Sequence, residues 1–110
     1  MLEPTLSVAV DGAVTFTYRV RNGSDEPVTL AFSTSQRVEV EVEAYEDDDL
    51  VWRFSDGRMF AQTLGEEEIG PGESFAETVT WDDPETGRYV AVASLAAADA
   101  DAETRAAFEV

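Results

Sequence analysis

The chain contains neither cysteine nor histidine. The first absence rules out disulfides and thiolate chemistry and agrees with a reducing compartment. Together the two absences remove a Ser-His-Asp triad, a Cys-His pair and any zinc site of the usual nitrogen and sulfur ligands. Lysine is missing as well, since all seven basic residues are arginine. Schiff-base chemistry and the lysine of a phosphate-cradling loop are therefore out of reach. No apolar run approaches the ~20 residues of a membrane span, and the opening MLEPTLSVAV lacks the basic region of a secretory signal. The expected address is the cytoplasm, with no membrane attachment.

What the chain has in excess is acid. Twenty-four acidic residues against seven basic ones give 110 residues a net charge of -17. No basic patch is available to neutralise phosphates, which argues against a nucleic-acid partner. An acidic, lysine-free chain rich in alanine and valine resembles a cytosolic protein adapted to molar salt. At 1 M salt the Debye length is ~3 Å, so the self-repulsion of such a chain is largely screened. Acids this abundant single out no catalytic pair, and no enzyme is expected. Asp47 to Asp49 and Asp82-Asp83 lack the spacing of a calcium loop and read as solvated turns. No metal or other cofactor is called for.

Disorder is excluded by a hydrophobic fraction of 44% and by eleven aromatic residues in regular patterns. The period is two, with almost no helical repeat. LSVAV aligns Leu6, Val8 and Val10, and AVTFTYRV aligns Val14, Phe16, Tyr18 and Val20. In VTLAFS the aligned residues are Val28, Leu30 and Phe32. VEVEVE points Val38, Val40 and Val42 inward and Glu39, Glu41 and Glu43 to solvent, which requires a half-exposed, antiparallel sheet. At a sheet edge those glutamates would guard against strand addition, and a monomer is expected on that ground. LVWRF, FAETVTW, RYVAVASLA and RAAFEV supply further strands. The sum is about eight strands in one domain over residues 1–110, an all-β, immunoglobulin-like antiparallel sandwich. Tyr89, opening a strand after the DDPETG turn, is similar to the tyrosine corner of such sandwiches. AAADADAETRAA reads as a hairpin between the last two strands. Asn22-Gly23-Ser24 fits a glycosylation acceptor but reads more simply as a turn.

One segment stands apart. EDDDLVWRFSDGRMF sets an apolar run between three aspartates and a turn. Leu50, Trp52 and Phe54 share one side of this strand, and Trp52 and Phe54, which alternate with Val51 and Arg53, read as core. Ser55, Asp56, Gly57, Arg58, Met59 and Phe60 read as a turn projecting from a rigid sheet.

The ordered set FTYRVRNGSDEPVTLAFSTSQ, LVWRFSDGRMFAQ, IGPGESF, TVTWD and TGRYVAVASL resembles the BsuPI-type intracellular proteinase inhibitors from Phe16 to about Leu95. The specific part is the order of Trp52-Arg53, Ser55, Phe60, Pro71-Gly72-Glu73, Trp81 and Gly87-x-Tyr89. The family often carries tyrosine-aspartate-phenylalanine after its serine-glutamine pair, where this chain has Arg37-Val38-Glu39. The resemblance implies an immunoglobulin-like domain that binds an intracellular subtilisin-like serine protease. The 55–60 turn is then the expected contact, with Arg58, Met59 or Phe60 filling a specificity pocket. At high salt such an interface depends on apolar anchors, for which Met59, Phe60, Leu64 and Ile69 are the candidates. The alternative reading is a non-inhibitory protein-binding or structural β-sandwich module.

Overall fold

The computed structural model describes residues 2–97 and 102–110. Among them lie nine strands: β1 (Leu2–Asp11), β2 (Ala13–Asn22), β3 (Val28–Phe32), β4 (Val38–Ala44), β5 (Leu50–Arg53), β6 (Gly65–Ile69), β7 (Ser74–Trp81), β8 (Arg88–Leu95) and β9 (Thr104–Glu109). They form three sheets of order β1-β2-β7, β3-β6 and β5-β4-β8-β9, with every pairing antiparallel. No described residue is helical.

The period-two pattern decides which side of each strand turns inward. Val14, Phe16, Tyr18 and Val20 of β2 are at most 1% exposed, and Val38, Val40 and Val42 of β4 are equally buried. A circuit of rings joins the two larger sheets. Phe16 stacks on Trp52 at 5.9 Å, Trp52 on Trp81 at 5.8 Å, Trp81 meets Tyr89 edge-on at 5.2 Å, and Phe108 closes it at 5.6 Å from both Tyr89 and Phe16. Each such pair adds about 1 kcal/mol to the burial of its area. Trp52 and Phe54, expected in the core, are partly buried and pack against it. Leu30, Phe32 and Ile69 bring the β3-β6 pair into the same core.

The tyrosine corner is present: the Tyr89 hydroxyl donates to the Glu85 carbonyl at 2.7 Å. Asn22 is fully buried, with a structural role. Its amide donates to the carbonyls of Glu26 and Ile69 at 2.7 and 2.9 Å, and its oxygen accepts from the Ser24 amide and hydroxyl at 2.9 and 2.7 Å. It thereby fixes the β2–β3 turn to the end of β6, and no room is left for a glycan.

Four expectations change. GEEEI forms a strand that its composition hid, because only Ile69 of β6 is buried, and glutamate is a poor strand former. Ile69 is therefore core at 2% exposure and no loop anchor. β4 lies between β5 and β8, so its glutamates guard no edge and the monomer argument drawn from them falls. Leu50 does not share the buried side of Trp52: the β4-β5 register shifts between Val42 and Glu43, and Leu50 is 45% exposed. The hairpin read across residues 96–104 falls partly outside the described residues, at 98–101. Its product, the β8-β9 pairing of Arg88 with Glu109 through Ala93 with Thr104, is formed.

Candidate functional site

β5 is short because LVWRF runs into Ser-Asp-Gly, residues that favour turns. The Phe54 amide still bonds to the Val40 carbonyl at 2.9 Å, one step past the strand. The chain then reverses. The Asp56 amide reaches the Arg53 carbonyl and the Arg58 amide the Ser55 carbonyl, both at 3.2 Å. Gly57 has φ +76°, a conformation that side-chain-bearing residues rarely adopt, so glycine is required there by the backbone.

The base of the turn is held by charge. Arg53 Nε and Nη2 donate to Glu41 Oε2 at 3.0 and 2.7 Å, and Nη1 stands 3.7 Å from Asp56 Oδ1. The Glu41 hydrogen bond and charge raise the Arg53 pKa above its ordinary value, so this group stays charged. Glu39 Oε1 accepts from the Ser55 amide at 3.2 Å. Of Arg37, Val38 and Glu39, only Glu39 reaches the turn: Val38 is buried in the core, and Arg37 sits 4.3 Å over the Phe32 ring.

Beyond the turn, residues 58–64 run without regular structure, yet they are pinned on both sides of one position. Arg58 lies over the Phe54 ring at 4.5 Å, and its Nε donates to the Phe54 carbonyl at 2.9 Å. Phe60 packs on the same ring at 6.1 Å. The Ala61 amide donates to Ser35 Oγ and its carbonyl accepts from the Ser35 amide, each at 2.9 Å. Between these anchors Met59 is 99% exposed. Arg58 and Phe60 turn to the Phe54 ring, and Met59 does not. Further on, Leu64 is 83% exposed beside a shallow groove of about 420 Å³ lined by Ala31, Phe32, Leu64, Gly65 and Glu66.

The structure separates the three pocket-filling candidates. Arg58 and Phe60 are engaged by Phe54, and Met59 is left exposed. Ser55, Asp56 and Gly57 form the supporting turn. Ser35 and Phe54 belong to the site although the sequence marked neither for it. Ser35 lies 26 positions from Ala61, too far for spacing to connect them, and Phe54 reads as plain core. No group of three or more carboxylates placed to hold a metal ion occurs among the described residues.

These features define a class: an immunoglobulin-like β-sandwich that presents a clamped loop with apolar side chains exposed at Met59 and Leu64. The chain belongs to the BsuPI family of intracellular proteinase inhibitors, whose model matches residues 2–100. No curated protein matches it. Among solved structures, it resembles part of beta-glucosidase 3B from Thermotoga neapolitana in complex with glucose. The TM-score is 0.53 at 17% identity, with 100% of this chain and 16% of that one covered. A beta-glucosidase from Kluyveromyces marxianus in complex with glucose gives 0.54 at 14% identity, covering 100% of this chain and 14% of that one. This chain thus spans only a small part of either enzyme, and the likeness is one of fold.

Proposed function

We propose that this protein inhibits a subtilisin-like serine protease by offering residues 55–64 as a substrate-like segment, with Met59 in the enzyme's specificity pocket. The observation that carries this reading is the full exposure of Met59 between two neighbours held on Phe54. A protease binds its substrate as an added strand, with one side chain buried in a pocket. A loop already held by contacts to Phe54 and Ser35 has less entropy to lose on binding, which favours a long-lived complex over rapid turnover. The unbranched, polarizable methionine suits an apolar pocket, and Leu64 supplies a second apolar contact further along the chain. The domain acts by occupying the enzyme's site, with no chemistry of its own. The setting is the cytoplasm of a cell holding molar salt, where long-range steering is screened and apolar anchors carry the interface.

The test is a titration of a subtilisin-like protease from a halophile, in ~3 M potassium chloride so that screening is complete. A stoichiometric end point is expected, with the loop intact or slowly nicked. Met59→Asp places a charge in an apolar pocket and should weaken inhibition by at least about tenfold. Full protease activity in excess domain, or an unaffected Met59→Asp variant, would reject the reading.

A further inference from the structure

The residue proposed for the pocket is also, among the described residues, the sulfur most open to oxygen-atom transfer. There is no cysteine to react first, and the two methionines are Met1 and Met59. A thioether is oxidised according to its access, and Met59 is 99% exposed. The ring pair formed by Phe54 and Phe60 lies on the body side of the loop and does not cover it.

We infer that Met59 is a modification site for peroxides, and that its oxidation switches inhibition off. The second half rests on the functional reading above. In the reaction, a sulfur lone pair attacks one peroxide oxygen. The S–O bond forms as the O–O bond breaks, and the displaced oxygen leaves as water after proton transfer. Methionine is oxidised by two electrons and the peroxide is reduced. The product sulfoxide is polar and can only accept hydrogen bonds, so burial in an apolar pocket leaves its oxygen unpaired. Nothing within the domain is disturbed, because the Met59 side chain supports no part of the fold. Oxidation should therefore act on binding and leave the domain standing. Sulfoxide reductases reverse the reaction, so the change is a switch and need not be damage.

The experiment treats the whole chain with hydrogen peroxide in molar potassium chloride, removes the oxidant, and maps oxygen uptake by peptide mass. The protease titration and thermal midpoint are compared before treatment, after it, and after methionine sulfoxide reductase. Expected are one added oxygen on the Met59 peptide, an unchanged midpoint, inhibition weakened at least about tenfold, and recovery with the reductase. The Met59→Leu variant, whatever its own strength, should titrate identically before and after peroxide. An oxidised domain that inhibits as well as the untreated one overturns the switch alone. A Met59→Leu variant inactivated by peroxide does the same. An untreated domain that does not inhibit overturns the functional reading and the switch together.

Discussion

The guanidinium of Arg58 sits 4.5 Å from the centroid of the Phe54 ring, and its Nε donates to the carbonyl of that same residue at 2.9 Å. One side chain is thus folded back onto the strand end from which the turn departs. With Phe60 on the same ring, Phe54 is the point on which both flanks of Met59 rest.

Phe54→Ala should release both flanks. The ring is half-buried, so the stability loss is expected at about 2 kcal/mol, below that of a fully buried phenylalanine. Inhibition should weaken further than stability alone explains, and the protease should cleave the 58–60 segment faster. Protease titration beside product mass analysis checks this. Phe60→Ser is a poorer probe of binding, because it too removes a contact inside the domain.

Ser35→Ala deletes one of the two bonds to Ala61 and leaves the Ser35 amide to make the other. The bond is exposed, so stability should fall by no more than ~1 kcal/mol. The dissociation rate of the protease complex should rise a few-fold, read by displacement kinetics. An unchanged rate would show that Phe54 alone positions the loop.

Asn22→Ala strands the buried carbonyl of Ile69 and the amide of Ser24, which lose their partners in one step. Each buried orphan costs about 1–3 kcal/mol, so a loss of about 3 kcal/mol is expected by urea unfolding in molar salt. Asn22→Asp, which sets a buried carboxylate against the carbonyls of Glu26 and Ile69, should cost at least as much as the alanine variant.

Salt should raise the thermal midpoint. A net charge of -17 on 110 residues repels itself in dilute buffer. Moving from ~0.1 to ~3 M potassium chloride should add about 5 °C or more, the equivalent of about 1 kcal/mol for a chain of this size. A flat midpoint in differential scanning would remove the reading of the acidity as an adaptation to salt.

Much of the fold was legible because a strand with one wet face must alternate, and this chain alternates cleanly. VEVEVE, AVTFTYRV and VTLAFS each turn inward the residues their period selects, and Tyr89 forms the corner its position after a turn suggested. Where the sequence misled, the pattern lacked information. GEEEI carries one buried side chain and cannot announce a strand. Leu50 alternates correctly with Trp52, but the register shift beside Val42 turns it outward.

The sequence by itself determined that this is an all-β chain without the side chains of common catalysis, and that an apolar pair, Met59-Phe60, follows a glycine turn. Those are matters of composition and local period. It could not determine which of Arg58, Met59 and Phe60 is free. That depends on Phe54 receiving two of the three and on Ser35 reaching Ala61. Such contacts form between residues distant in sequence only after the sheets have packed. Tertiary structure therefore decided that, of these three, Met59 is the one with no partner ring, because Phe54 takes the side chains on either side of it.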